Sequence, residues 1–189
     1  MTGIKGAIFD ADGTLFDSMW MWHKLESEFF QAEYRINKTE AEVVDWINAM
    51  MGKFYTNEVI LKQGVLPVLD AFLSRGIKMC VATATGKSLI NIALQRTGIL
   101  KYFGKVFTCG DEKTNKNHPD IYIRAAAFLG TDIEETLVIE DAPHAIRSAK
   151  SAGFPVAGVY DRSAETYQDE IKMLCDYYFI SIDEILKVL

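Results

Sequence analysis

The sequence lacks the features that would place it in a membrane or on a nucleic acid. No stretch reaches the roughly 18 consecutive apolar residues that a membrane span needs, and the N-terminus enters a strand pattern without a signal-peptide pattern. No run of Lys and Arg is present, and the net charge of -6 opposes binding to phosphate backbones or anionic lipids. These absences favour a small, soluble partner.

The sequence is also poor in cysteine. Cys80, Cys109 and Cys175 are odd in number, widely spaced and without a CxxC pair, which is typical of reduced thiols rather than of a disulfide framework. No GxGxxG follows the first strand pattern, which argues against a dinucleotide site. We therefore expect a cytoplasmic protein without a nucleotide cofactor of that kind.

What the sequence does contain is an alternation of strand and helix patterns. Short apolar runs rich in β-branched residues are separated by segments of helical period, which predicts parallel strands joined by crossover helices. The predicted strands cover residues 6–10, 77–83, 105–109, 136–140, 155–160 and 176–180. Three of the helical segments end at Gly76, Gly98 and Gly130, where a left-handed residue would stop a helix. We expect an α/β fold, a Rossmann-like doubly wound parallel sheet with helices on both faces.

The alternation is interrupted after the first strand. This part of the chain has no convincing strand and three helical patterns, at about 18–34, 39–51 and 56–63. Thr39 and Glu42 have the spacing of a capping box, which marks a helix start. The pattern predicts two domains: an α/β core of residues 1–16 and 65–189, and a small all-helical cap of residues 17–64.

Polar residues follow the ends of four predicted strands. They are Asp10 and Asp12 after the first, Thr83 to Thr85 after the second, Lys116 ahead of the helix after the third, and Glu140 and Asp141 after the fourth. Open α/β sheets bind ligands at the carboxyl ends of their strands. We therefore expect these four groups to meet at one edge of the sheet.

The chemistry of these residues is consistent with phosphoryl transfer. Converging carboxylates need a cation, and their hard oxygen ligands favour Mg²⁺, which also binds phosphate oxygens. Lys116 and the Thr83 hydroxyl suit the remaining phosphoryl oxygens. One Asp can attack phosphorus and form an aspartyl phosphate. A second Asp two residues on can protonate the leaving oxygen and later deprotonate water.

Four segments of the chain resemble, in order, the four motifs of the haloacid dehalogenase superfamily. They are "FDADGTLFDS", "VATAT", "KNHPDIYIRAA" and "VIEDAPHAIRSAKSAG", and the resemblance is to the β-phosphoglucomutase-like subgroup with a helical cap. It implies that Asp10 is the nucleophile, Asp12 the acid and base, Thr83 the second-motif hydroxyl and Lys116 the third-motif lysine. An acid at Asp12 favours phosphoryl transfer over carbon–halogen cleavage, since the dehalogenases of the superfamily lack it.

The resemblance also implies a set of ligand contacts. Mg²⁺ would be held by Asp10, Asp141 and the backbone carbonyl of Asp12, with Glu140 as an additional or indirect ligand. The substrate phosphate would be bound by Ala11, Thr83, Ala84 and Lys116. The implied substrate is a small phosphorylated metabolite, and sugar phosphates, nucleotides and other phosphomonoesters all stay open, as does the oligomeric state.

Two departures from the subgroup favour hydrolysis over mutase chemistry. The predicted cap is shorter than usual, and Trp22 stands in the register of the mutases' cap histidine, with His23 one place away. A mutase must exclude water while it returns the phosphoryl group, so we expect a phosphatase, with a phosphosugar mutase as the alternative.

The segment 19–23 is typical of a helix that packs on the core, with substrate contact as its alternative. We interpret His118 and His144 as surface or loop residues.

Two other classes of protein, a receiver domain and a non-catalytic binding protein, agree less well with the sequence. A receiver domain also forms an aspartyl phosphate near Mg²⁺, but it has no helical insert and carries its phosphorylated Asp after the third strand, where this chain has "TCGDEKTN". A non-catalytic binding protein on the same fold would be expected to have lost Asp10 or Asp12. Turnover of a phosphate ester with Mg²⁺ distinguishes an enzyme from both.

Overall fold

The core of the molecule is a parallel β-sheet, seen in a computed structural model that describes residues 1–33 and 39–189. Within those residues the strands are β1 (Gly6–Phe9), β2 (Phe16–Asp17), β3 (Ile60–Leu61), β4 (Lys78–Thr83), β5 (Val106–Thr108), β6 (Thr136–Glu140), β7 (Val156–Val159) and β8 (Tyr177–Phe179). Six of them form one sheet in the order β5-β4-β1-β6-β7-β8, with every neighbouring pair parallel. The six predicted strands and the α/β fold class are confirmed.

Helices cover both faces of this sheet. The α-helices of the described residues are α1 (Met19–Glu33), α2 (Glu40–Asn57), α3 (Val65–Ser74), α4 (Lys87–Arg96), α5 (Cys109–Glu112), α6 (Asp120–Leu129), α7 (Pro143–Ser151) and α8 (Gln168–Leu174). Of these, α3 and α4 pack on one face of the sheet, and α6, α7 and α8 pack on the other. Neighbouring residues of β1 belong to different apolar clusters: Phe9 packs with residues of α3 and α4, and Ile8 packs with residues of α6 and α7. This alternation is what a strand buried on both faces requires. The predicted helix ends at Gly76, Gly98 and Gly130 are present, each glycine having a positive φ.

Helix α2 differs from its prediction. It starts at the predicted capping box, in which the Thr39 hydroxyl accepts from the Glu42 amide, but it continues to Asn57. The predicted end at residue 51 is therefore wrong, and so is the predicted helix at 56–63. Met51, Phe54 and Tyr55 are fully buried on one face of the helix. Their burial outweighs the roughly 1 kcal/mol that Gly52 costs inside a helix.

A short ribbon, β2 paired antiparallel with β3, joins the sheet to α1 and α2. Phe16 pairs with Leu61 and Asp17 with Ile60, and the Lys62 amide donates to the Leu15 carbonyl at 2.9 Å. The expectation of no strand between residues 17 and 64 is therefore wrong. A pairing of two residues is too short to leave a period in the sequence.

Two expectations about this region are not decided by the fold. The end of the predicted helix at residue 34 lies outside the described residues. The division into a core of 1–16 and 65–189 and a cap of 17–64 stays a prediction. Across the described ranges, no helix combines the length and the apolar character needed to cross a bilayer.

Candidate active site

A cleft of about 800 Å³ opens at the carboxyl ends of β1, β4 and β6. Its walls contain Asp10, Asp12, Met19, Trp22, Thr83, Ala84, Thr85, Gly86, Ser88, Leu89, Lys116, Glu140, Asp141, Ala142 and His144. The polar residues after the four predicted strands therefore meet at one edge of the sheet. Helix α1 supplies Met19 and Trp22 from the opposite side.

Three buried carboxylates form the floor of the cleft. Asp10, Glu140 and Asp141 each place an oxygen within 4.8 Å of the others. The Asp10 amide donates to the Ile139 carbonyl at 2.9 Å, which fixes the end of β1 against β6. Burial raises the pKa of Asp10 to about 7; Lys116 opposes this rise and the charge of Glu140 adds to it. Burial and the charges of Asp10 and Glu140 raise the pKa of Asp141 well above its usual value.

Lys116 is the cation of this cluster and is itself buried. Its Nζ donates to Asp10 Oδ1 and, at 2.6 Å, to Glu140 Oε1. Burial alone would lower the pKa of Lys116, but the two carboxylates raise it above its usual value. Glu140 Oε1 also accepts from the Tyr122 hydroxyl at 2.8 Å, and Glu140 Oε2 accepts from the Asp141 amide at 3.1 Å. Lys116 therefore pairs directly with two of the three carboxylates at the floor of the cleft.

Asp12 stands apart from this cluster and is held by hydroxyl groups. Its Oδ1 accepts from Ser18 Oγ at 2.6 Å and from the Tyr55 hydroxyl. Its Oδ2 accepts from Thr85 Oγ1 at 2.6 Å. The three donors come from the start of α1, the end of α2 and the loop after β4, so three parts of the chain fix one carboxylate.

The turn after Asp12 lies against Asp141. Gly13 has a φ of 93°, and a Cβ atom at this position would overlap the Asp141 carboxylate. Thr14 Oγ1 donates to Asp141 Oδ1 at 2.9 Å. The segment "DGT" therefore combines the backbone approach that only glycine permits with a hydrogen bond that orients the neighbouring carboxylate.

The other predicted site residues are partly in place. Thr83 is buried in the wall of the cleft, where its Oγ1 accepts from the Thr85 amide at 3.1 Å. Ala84 also lines the cleft, whereas Ala11 is fully buried and is not part of the wall. His144 is exposed, as a surface residue should be, and it also lines the cleft.

The segment 19–23 serves both of the roles considered for it. Met21 is buried and packs with the core, as the first interpretation predicts. Met19 and Trp22 line the cleft, as the alternative predicts. Trp20 is 49 % exposed and contacts the Phe54 ring edge-on, with centroids 5.3 Å apart.

Several groups that contact the predicted site residues were not identified from the sequence. Thr14 and Ser18 lie inside the first motif and Tyr122 inside the third, so position relative to the motifs could have indicated them. The strand pattern places Thr85 at the sheet edge, but it gives no sign of the hydrogen bond from Thr85 to Asp12. Tyr55 carries no local signal, since its contact with Asp12 spans 43 positions and depends on where α2 ends.

Comparisons with known proteins agree with this geometry. A family model described as haloacid dehalogenase-like hydrolase matches residues 30–159. Pyrophosphatase PpaX from Bacillus pumilus is 32% identical over 179 residues, which cover 82% of this chain and 83% of that protein. Protein CbbY from Rhodobacter capsulatus is 26% identical over 191 residues, with 81% of this chain and 84% of that protein covered.

Solved structures share the fold. A predicted phosphoglycolate phosphatase from Haemophilus somnus matches with a TM-score of 0.78 and 21% identity over 100% of this chain and 99% of that chain. A beta-phosphoglucomutase from Clostridium difficile matches with a TM-score of 0.70 and 24% identity over 96% and 92%. Since the family model covers more than half of the residues, the chain belongs to the haloacid dehalogenase-like hydrolases.

Proposed function

We propose that this protein is a Mg²⁺-dependent phosphatase that hydrolyses a small phosphomonoester through an aspartyl phosphate on Asp10. The observation that carries the proposal is the buried group of Asp10, Glu140, Asp141 and Lys116 at the floor of an open cleft, beside Asp12. Relatives and structural neighbours named as phosphatases support the same reaction class.

The carboxylates fit a divalent cation. Asp10, Glu140 and Asp141 offer the hard oxygen ligands that Mg²⁺ prefers, and a bound cation would favour the ionised form of each carboxyl group. In the proposal Asp10, Asp141 and the Asp12 backbone carbonyl hold the ion, with Glu140 nearby. When bound, Mg²⁺ supplies positive charge that neutralises the phosphate and the nucleophile.

The side chains divide the chemistry between two carboxylates. Asp10 attacks phosphorus, so that an acyl phosphate bond forms and the ester P–O bond breaks. Protonated Asp12 gives its proton to the leaving oxygen, and as a carboxylate it then takes a proton from the water that attacks the acyl phosphate. Inorganic phosphate leaves and both carboxyl groups return to their starting state. Lys116, Thr83 and the backbone at Ala84 bind the phosphoryl oxygens.

The other residues of the cleft wall would contact the organic part of the substrate. Met19, Trp22 and Leu89 give the wall apolar surface, and Ser88 and His144 add polar atoms. A cleft of about 800 Å³ accommodates a metabolite-sized ester. The proposed substrate is therefore a small phosphorylated metabolite.

The test is a screen of purified protein against phosphorylated metabolites, with Mg²⁺ and with a chelator. The panel includes sugar phosphates, nucleotides, phosphoglycolate and pyrophosphate, since two of these occur in the names of similar proteins. We expect phosphate release that needs Mg²⁺ and disappears in Asp10→Asn. The matched control is Asp17→Asn, which changes an exposed carboxylate on β2. Wild-type turnover by Asp10→Asn would overturn the aspartyl-phosphate mechanism.

A phosphosugar mutase is the second candidate, because one structural neighbour is named beta-phosphoglucomutase. The two functions differ in their products. Phosphorus NMR of a reaction with a sugar 1-phosphate and a trace of sugar bisphosphate separates them: a mutase forms sugar 6-phosphate, and a phosphatase forms inorganic phosphate. We expect inorganic phosphate.

A further inference from the structure

Tyr55 reaches the proposed acid and base from a helix outside the sheet. It lies near the end of α2, is fully buried and does not line the cleft. Its hydroxyl donates to Asp12 Oδ1, the oxygen that Ser18 also contacts. Because Tyr55 is buried outside the cleft wall, it acts on the site through the residues that it contacts and not by touching the substrate.

Trp22 fixes the direction of this hydrogen bond. Its Nε1 lies 3.3 Å from the Tyr55 hydroxyl oxygen, and an indole N–H can only donate. The Tyr55 oxygen therefore accepts from Trp22 and gives its own proton to Asp12. Burial, followed by the charge of Asp12, raises the pKa of Tyr55, which keeps the hydroxyl protonated.

A residue of the sheet domain holds the end of α2 that carries Tyr55. Arg96, the last residue of α4, donates from Nε to the Tyr55 carbonyl at 3.3 Å and from Nη2 to the Val59 carbonyl. A cation at a helix C-terminus also interacts favourably with the helix dipole. The Phe54 ring packs edge-on against Tyr55, with centroids 5.5 Å apart. Both the backbone and the ring of Tyr55 are thus fixed.

We propose that Tyr55 is a positioning residue for Asp12, and that Trp22 orients it. The inference rests on the proposed function, in which Asp12 protonates the leaving oxygen. Trp22 also lines the cleft. One chain of hydrogen bonds therefore runs from the cleft wall to the proposed acid, from the Trp22 indole through the Tyr55 hydroxyl to the Asp12 carboxylate.

The test compares two substrates of similar shape whose need for an acid differs. Phenyl phosphate releases a poor leaving group that must be protonated, whereas p-nitrophenyl phosphate releases a stable anion. In Tyr55→Phe we expect kcat/KM for phenyl phosphate to fall by about tenfold or more, because general-acid catalysis is worth orders of magnitude. For p-nitrophenyl phosphate we expect a change of less than about threefold. Trp22→Phe should shift the ratio of the two values in the same direction.

The control is Tyr102→Phe, which removes a hydroxyl that donates to Asp70 at 2.6 Å outside the cleft and should leave both substrates unaffected. Equal losses on both substrates in Tyr55→Phe, or no loss on either, would overturn the positioning role while wild-type turnover still supports the phosphatase. Absence of Mg²⁺-dependent turnover in the wild type would overturn the proposed function and this inference with it.

Discussion

At the scale of single residues, Gly13 is the position with the least freedom to change. Its φ is positive, and a Cβ atom would overlap the Asp141 carboxylate. We expect Gly13→Ala to lower the free energy of unfolding by about 1 to 3 kcal/mol and to remove most activity, because Asp141 must move. Urea denaturation and phosphate release measure the two effects.

The control for this prediction is another glycine. Gly52 lies inside α2 with open space where a Cβ atom would stand. Gly52→Ala should therefore stabilise the protein by about 1 kcal/mol, the difference in helix propensity. Equal stability of Gly13→Ala and wild type would contradict the proposed close packing.

Some site residues were predictable because strand ends converge. Asp10, Lys116, Glu140 and Asp141 were placed together from the positions of predicted strands, and the structure brings them within contact. Tyr55 was not predictable, because its contact with Asp12 depends on helix packing between distant parts of the chain. Local sequence patterns predict which residues lie at the sheet edge. The position of α2, which carries Tyr55, depends instead on tertiary contacts.

At the scale of elements, Arg96 is the contact that joins α4 to the end of α2. Replacement by Met keeps much of its apolar stem and removes the two hydrogen bonds to carbonyls. We expect Arg96→Met to lose about 1 to 2 kcal/mol of stability and to raise amide exchange over residues 53–59. Arg75→Met, at the exposed end of α3, is the control that should leave that exchange unchanged. Wild-type exchange in Arg96→Met would contradict the role of Arg96.

The segment after β3 is held to the loop after β7 by a salt bridge. Lys62 Nζ lies 2.8 Å from Asp161 Oδ2 and 2.9 Å from the Tyr160 carbonyl oxygen. Burial raises the pKa of Asp161, but Lys62 and the Ser163 amide outweigh it and hold the pKa below its usual value. Because the folded pKa is lower than the unfolded one, the stabilisation is present above about pH 4 and is lost as the pH falls through the folded value.

Asp161→Asn should therefore be less stable than wild type at neutral pH, by about 1 to 3 kcal/mol. The difference should shrink as the pH falls toward the folded pKa, where wild-type Asp161 is also neutral. Urea denaturation across this pH range measures it. Asp169→Asn serves as the control, because its carboxylate is fully exposed and 3.7 Å from Lys172. A difference that stays constant with pH would contradict the assignment.

The elements that differed from prediction share a physical cause. The strands of the sheet and the helices α3, α4, α6 and α7 bury regular faces, so their periods are visible in the sequence. Helix α2 extends past Gly52 only because Met51, Phe54 and Tyr55 bury against other parts of the chain. The β2–β3 pair has two residues on each side. Both depend on contacts distant in sequence, which local patterns do not report.

At the scale of the whole molecule, we expect stability to depend on the metal ion proposed for the acidic cluster. The pKa of Asp141 is raised by burial and by Asp10 and Glu140, so its ionised form destabilises the metal-free protein at neutral pH. We expect Asp141→Asn in chelator to melt at least about 2 °C above wild type. Wild type should gain stability with added Mg²⁺ and the variant should gain much less. A variant that melts lower in chelator, or that responds equally to Mg²⁺, would contradict this.

The two aspartates of the first motif are held by different parts of the chain. The Asp10 amide donates to the Ile139 carbonyl of β6, and its carboxylate accepts from Lys116. The Asp12 carboxylate accepts from Tyr55 of α2, a helix that follows α1 and leads into the β2–β3 ribbon. We therefore expect a substitution that loosens α2 to disturb Asp12 and to spare Asp10, so that the two carboxylates can be perturbed separately.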